Sequence, residues 1–255
     1  MKKILLASTI LVGSAGFAAA QGVSLSGSAF MGIENNPAVG NVWVAKNSVQ
    51  LDFSASGETD GGLMFGMDGS IFSMTHWANG TTTNTASSHW YSMDFTTWIS
   101  GDFGKVSLTS TDGVQMTLAY SHTIDAFSID VAYDVDTPNW DVELGYDFGD
   151  YSVYIGHDTS VPATRMGGTA TFGDFSAYLD LNDISAIPSN WELGADYTSG
   201  AITVGGDIGN DGTNFLDLNF GYDLGGGASV IAEYSDPDTA TANDETMTFG
   251  VSMDF

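Results

Sequence analysis

The sequence predicts an all-β protein, a transmembrane antiparallel β-barrel of 16 strands with short periplasmic turns and longer external loops. Three observations predict this class: apolar and polar residues alternate along almost every segment, the connections alternate between short and long, and acids recur on the polar side of the alternation. A period of two is the spacing of side chains on one strand face. A closed sheet between lipid and water needs this pattern in every strand.

The N-terminal segment, residues 1–20, has the pattern of a secretory signal peptide. MKK is followed by the apolar run ILLASTILVG, and Ala18 and Ala20 occupy the small-residue cleavage positions. We therefore expect residues 1–20 to be removed and residues 21–255 to form the barrel. No later segment approaches the roughly 20 apolar residues that a transmembrane helix needs.

The strands follow from the alternation and from the Gly, Pro, Asn and Asp clusters that interrupt it. They are predicted near 22–33, 42–55, 62–74, 89–100, 104–110, 114–121, 126–134, 139–148, 150–158, 163–172, 174–182, 189–198, 201–208, 213–224, 228–235 and 245–255. An even number of strands places both ends of the chain on one side of the membrane.

The connections are sorted by length. Those after even-numbered strands are mostly tight, as in FGD at 148–150 and TSG at 198–200, although SHTIDA at 121–126 is longer. Those after odd-numbered strands are longer and more polar, as in DIGNDGT at 207–213 and DPDTATANDE at 236–245. Outer-membrane barrels have this asymmetry between their two ends, and a soluble sandwich has no reason for it.

Charge and composition exclude several function classes. The chain has 32 acids and a net charge of −27, so nucleic acid is not expected as a partner. It has no cysteine, which excludes disulfides and thiolate metal sites. With 43% hydrophobic residues it is also unlike disordered acidic proteins. The acids and the apolar residues must therefore occupy separate surfaces.

Alternate residues of a strand point to opposite faces, and we call each alternating set a parity. If the apolar parity faces lipid, the other parity faces a water-filled lumen. The residues predicted to line the pore are Asp52, Asp68, Asp94, Asp130, Glu143, Asp180, Glu192, Asp196, Asp217 and Glu233, together with Lys46, Lys105 and Arg165. Aromatic residues near strand ends, including Trp98, Tyr146 and Trp191, are predicted to form an interfacial girdle on the apolar parity.

Four segments together resemble the Gram-negative general porins, especially their alphaproteobacterial, Rhodobacter-like branch. They are GVSLSGSAFMGIE, SGETDGGLMFGMD, WISGDFGKVSLTS and MTFGVSMDF. The resemblance implies a barrel of 16 strands in the cell outer membrane, usually a homotrimer in contact with lipid and lipopolysaccharide, through which small hydrophilic solutes diffuse passively. The last strand resembles the signal read by the outer-membrane assembly machinery, with Met247, Phe249, Val251, Met253 and Phe255 as its apolar residues.

Two departures from that family pattern bear on the pore. In such porins the third external loop is long, folds into the channel and carries acids that face a basic cluster, but here it is reduced to STDG at 110–113. Three basic residues on separate strands cannot build the opposed-charge constriction either. We therefore expect a wide pore that prefers cations, with the loop at 75–88 as a candidate for an inward fold or a latch.

Other readings of the chain stay open. One is an outer-membrane structural or surface-binding barrel without an open pore, and another is a secreted soluble β-sandwich that binds a ligand. No enzyme is expected, because no catalytic spacing is found around His76, His89, His122 or His157, although a Ser paired with His89 or His157 is the form a barrel hydrolase would take. No cofactor is expected, and Ca²⁺ at the acidic loops DIGNDGTN or SDPDTATANDE is a hypothesis without assigned ligands.

Overall fold

A computed structural model describes residues 20–36, 42–77, 87–113, 115–160, 163–184, 190–237 and 244–255. Of the predicted signal peptide, only Ala20 falls within these ranges, as the first residue of a strand. Cleavage after Ala20 therefore stays a prediction. The described ranges contain no helix long and apolar enough to cross a membrane.

Sixteen strands are found within the described ranges. They are β1 (Ala20–Asn36), β2 (Val42–Glu58), β3 (Met64–Trp77), β4 (Ser87–Gly101), β5 (Gly104–Thr111), β6 (Gln115–Ile124), β7 (Phe127–Asp134), β8 (Asn139–Asp147), β9 (Tyr151–Asp158), β10 (Ala163–Phe172), β11 (Phe175–Asn182), β12 (Asn190–Ser199), β13 (Ile202–Asn210), β14 (Asn214–Gly225), β15 (Ala228–Asp236) and β16 (Thr246–Asp254).

The strands form one closed antiparallel ring. Each strand pairs with its neighbours in sequence, and β1 pairs with β16. In that closing ladder Ser28 lies opposite Asp254 and Gly32 lies opposite Gly250. The predicted 16-stranded antiparallel barrel is therefore confirmed, and closure satisfies the backbone groups that a sheet edge would expose to lipid.

The wall of the ring is uneven in height. Strands β1 to β4 have 17, 17, 14 and 15 residues, whereas β5 has 8 and β9 has 8. A tilted strand crosses a bilayer with about 9–11 residues. The ladder between β4 and β5 starts at Asp94, so the earlier residues of β4 rise above β5 on the loop side. One quarter of the wall thus projects beyond the rest.

Two predicted connections are shorter in the structure than in the sequence analysis. SHTIDA was expected to be a longer turn, but β6 continues to Ile124 and leaves only residues 125–126, with Asp125 at φ 53°. DIGNDGT was expected to be a long external loop, but β13 continues to Asn210 and leaves residues 211–213. In both places the ladder hydrogen bonds extend through polar residues. The sorting of connections still holds where β11 and β12 are separated by residues 183–189.

The described residues form no hydrophobic core of the usual kind. Among the described side chains, Val44 is the one buried large hydrophobic, at 2% exposure, whereas Leu144, Leu218 and Phe249 are 37%, 48% and 46% exposed. Large apolar side chains are exposed around the whole ring. Exposure of so much apolar surface to water is unfavourable in free energy, whereas in a bilayer the same surface is solvated by lipid.

Candidate functional site

The register divides the ring into a polar face and an apolar face. One row of cross-strand neighbours runs from β11 through β16 to β1 and consists of Ser176, Asp196, Gly205, Asn219, Glu233, Thr248 and Glu34. Side chains diverge on the convex side of a closed sheet and converge on its concave side. Because the large apolar residues are the more exposed, the apolar face is the outer face and the polar face is the inner face.

All thirteen residues predicted to line the pore lie on the inner face. The register connects them without a change of parity, for example from Asp130 to Glu143 across β7 and β8 and from Asp180 to Glu192 across β11 and β12. The full set on this face is Asp52, Asp68, Asp94, Asp130, Glu143, Asp180, Glu192, Asp196, Asp217, Glu233, Lys46, Lys105 and Arg165. Their contribution to conduction stays a prediction.

Three of the predicted acids share a depression on the wall formed by β1 to β4. Asp52, Asp68 and Asp94 line it together with the hydroxyls of several serines and Thr96. The Gln50 amide donates to Asp52 at 2.8 Å, and the indole Nε1 of Trp98 donates to Asp68 Oδ2 at 2.8 Å. The carboxylates of Asp52 and Asp68 are thus held by neutral hydrogen-bond donors.

A second acidic region begins at β11. The Tyr154 hydroxyl donates to Asp180 Oδ1 at 2.6 Å, and the Tyr178 hydroxyl donates to Glu192. Asp207 and Asp217 face each other across β13 and β14. The chain has no Lys or Arg after Arg165, so no strand from β11 to β16 carries a basic residue. We call β11 to β15 the acid-only sector.

The three basic residues are not brought together. Lys46 Nζ lies 2.6 Å from Glu34 Oε2 on β1. Arg165 reaches Asp141 and Glu143, with Nη2 3.1 Å from Glu143 Oε2. The Lys105 ammonium lies 5.0 Å from the centre of the Trp98 ring, a cation–π contact. Each of these cations therefore has a partner on the inner face, and within the described residues no basic cluster faces the acids.

Sequence reasoning missed three residues of this face. Asp207 lies within the strand predicted near 201–208, but it was also counted in the connection DIGNDGT and was left off the pore-lining set. Glu34 was left out because β1 was ended at residue 33. Trp98 was predicted on the apolar parity, which is wrong, since it lies one residue from the outer-facing Ile99 and bonds to Asp68. Counting parity strictly along β4 would have placed Trp98 on the inner face.

The third external connection is a tight turn. β5 ends at Thr111 and β6 begins at Gln115, and Asp112 and Gly113 between them have φ of 50° and 67°. Asp112 N donates to Met93 O at 3.0 Å, and Met93 N donates to Asp112 Oδ1 at 3.0 Å, so the turn is tied to β4. Neither of the two residues described at the position of the constriction loop therefore extends into the lumen. The other candidate, 75–88, lies largely outside the described residues.

The C-terminal strand closes the ring with its apolar residues outward. Met247, Phe249, Val251 and Met253 share the outer face of β16. Phe255 follows the strand, and its backbone exchanges two hydrogen bonds with Gly27, at 2.8 and 2.9 Å. Its ring lies over Gly27, where an added Cβ would be 2.9 Å from Phe255 Cε2. Recognition of these residues by the assembly machinery stays a prediction.

The described residues contain no group of three or more His, Asp or Glu side chains able to hold a metal ion. Part of SDPDTATANDE lies outside those residues, so the calcium hypothesis is still only a prediction. Of the two histidines considered for hydrolysis, His157 lies on the outer parity and contacts the Thr164 hydroxyl at 3.1 Å, and the side chain of His89 is outside the described set.

Comparison with known proteins decides the family. The sequence model of the Gram-negative porin family matches residues 7–133 and 108–239. The chain belongs to that family. This porin is 26% identical to a porin of Rhodobacter capsulatus over 316 positions, which cover 91% of this chain and all of the relative. Since the alignment exceeds 255 residues, the relative has segments without a counterpart here.

Solved structures agree on the fold of this porin. A mutant of Rh. blastica porin superposes with a TM-score of 0.69 at 16% identity, covering 91% of this chain and all of that one. A porin structure refined at 1.8 Å resolution gives a TM-score of 0.68 at 22% identity with the same coverage. At these identities the likeness supports the barrel architecture and nothing more specific.

Proposed function

We propose that this porin forms a water-filled outer-membrane channel that conducts small hydrophilic solutes and ions passively and prefers cations. Family membership supports the channel and its membrane. The observation that carries the cation preference is the charge of the inner face: its carboxylates extend around the ring, and its three cations are each held by a partner on the wall. Selectivity in such channels comes from the charge and width of the lumen.

The electrostatic argument is one of excess charge. A lumen with more carboxylates than cations concentrates counter-cations and repels anions, and this effect acts over about 10 Å at 0.1 M salt. Asp180, Glu192, Asp207 and Asp217 belong to a sector without any basic residue. A permeating cation therefore meets uncompensated negative charge on this side of the barrel.

Reversal potentials in planar bilayers test the preference. Under a KCl gradient centred near 0.1 M we expect a potassium-to-chloride permeability ratio of roughly 3–10, falling toward 1 near 1 M as the Debye length shortens to about 3 Å. The same gradient across a bilayer without protein is the control. A ratio at or below 1 at low salt would contradict the proposed preference, and absence of conductance would favour a barrel without an open pore.

Pore width is a separate prediction. Because β5 and β6 are only three residues apart and Asp112 is tied to β4, we expect swelling of proteoliposomes in neutral sugars to fall only slowly with sugar size. The comparison is with a porin that has an inward third loop, measured in the same vesicles. A steeper decline for this porin than for that reference would show that another segment narrows the channel.

We further propose the assembly expected for this family. Residues 1–20 are removed on export, the C-terminal strand is read by the outer-membrane assembly machinery, and three copies associate in lipid and lipopolysaccharide. What supports these steps is family membership and the outward apolar residues of β16. Mass spectrometry of the purified protein and its size in mild detergent test the first and the last.

A further inference from the structure

Arg165 binds two carboxylates on a strand that is not its neighbour. It lies on β10, whereas Asp141 and Glu143 lie on β8, with β9 between them. Its Nη2 donates to Asp141 Oδ1 at 2.7 Å and to Glu143 Oε2 at 3.1 Å, and its Nε donates to the same Glu143 oxygen at 3.2 Å. The side chain must therefore cross the inner surface of β9.

Gly156 provides the path for this crossing. In the register Glu143 lies opposite Gly156 and Gly156 lies opposite Arg165, so the arginine passes directly over the glycine. A Cβ at residue 156 would lie 2.9 Å from Arg165 Nε, 3.0 Å from Cζ and 3.2 Å from Cγ. A larger residue would therefore lift the guanidinium from the wall.

The position of the Arg165 guanidinium decides which carboxylates of the lumen it compensates. The neighbouring strand, β11, begins the acid-only sector, with Asp180 opposite Gly167. A guanidinium released from β8 would extend toward the lumen or toward Asp180, where it would compensate carboxylates that otherwise attract cations. Held over Gly156, it compensates Asp141 and Glu143 instead.

We propose that Gly156 is a selectivity-determining residue of the channel, because it seats Arg165 against the wall and keeps this positive charge out of the ion path. The proposal deepens the proposed function and rests on its cation preference. Arg165 is then a positioning residue for the two carboxylates of β8 rather than an anion-attracting group in the lumen.

Two variants that conserve the charge of the side chains test the proposal. Gly156→Val fills the space over residue 156 that the Arg165 side chain occupies. Arg165→Lys keeps the positive charge but cannot make the forked contact to two carboxylates. For both we expect the potassium-to-chloride permeability ratio at 0.1 M salt to fall about twofold from the wild-type value, since only the position of the cation changes. Single-channel recording reads folded, inserted barrels alone, so reduced folding lowers the number of channels and not the ratio.

The controls separate this proposal from simpler explanations. Gly221→Ala adds a methyl group to another inner-face glycine whose nearest neighbour would be Thr203 Cβ at 3.8 Å, and we expect its ratio to equal wild type. In an Arg165→Gln background, Gly156→Val should no longer lower the ratio. If wild type is cation-selective and neither charge-conserving variant changes the ratio, the proposal is wrong. If wild type itself lacks cation selectivity, the proposed function is wrong.

Discussion

We expect that most molecules of the Leu218→Arg variant do not fold into the barrel, whereas the Asn219→Arg variant folds. Leu218 lies on the outer face of β14 and Asn219 lies beside it on the inner face. An arginine facing lipid near the bilayer midplane costs roughly 2–4 kcal/mol, and an arginine facing the lumen does not pay this cost. Refolding into lipid vesicles under a urea series, read by heat-modifiable migration on gels, measures the difference.

The pair also tests the assignment of the two faces. Asn219→Arg adds positive charge to the acid-only sector, so its folded channels should show a lower potassium-to-chloride permeability ratio than wild type. If the two variants fold to the same extent, or if the Asn219→Arg variant folds less than the Leu218→Arg variant, the apolar face does not contact lipid.

Gly250→Ala is expected to weaken the seam that closes the ring. Gly250 and Gly32 face each other across β16 and β1, and an alanine Cβ at residue 250 would lie 2.3 Å from Phe30 Cε2 and 2.5 Å from Met31 O. The second contact is with backbone, which cannot move without disturbing the ladder. Overpacking of this kind costs about 1–3 kcal/mol, so we expect the urea midpoint of the folded form to fall.

Gly221→Ala is the matched control for the seam, because it adds the same methyl group to the same face at a site with room for it. Its urea midpoint should stay close to wild type. If both alanine variants unfold at the same urea concentration as wild type, the close approach at the seam does not contribute to the stability of the barrel.

The strand count and the two faces were predictable because both follow from a period of two. A one-residue error in parity would move every side chain of a strand to the other face, so the hydrophobic alternation determines the register strongly. Trp98 was misplaced because aromatic type was given more weight than position in β4. Its indole can lie on the polar face because Asp68 accepts its hydrogen bond.

The partners of individual side chains were not predictable. Nothing in the sequence spacing shows that Arg165 contacts Asp141 and Glu143, since this depends on the stagger between β8 and β10 and on the absence of a side chain at Gly156. Asp207 was missed for a related reason. Asp207 was counted both in the predicted strand and in the Gly-, Asn- and Asp-rich connection after it, and the pairing with β14 shows that it belongs to the strand, which continues to Asn210.

The order of the ring has a consequence for the synthesis of the chain. The first strand made, β1, has to wait for β16 before its second edge is paired, so a chain truncated before β16 leaves both β1 and β15 open. Open strand edges in contact with lipid or with other chains favour misassembly. The topology therefore makes a nearly full-length product a condition for a sealed barrel.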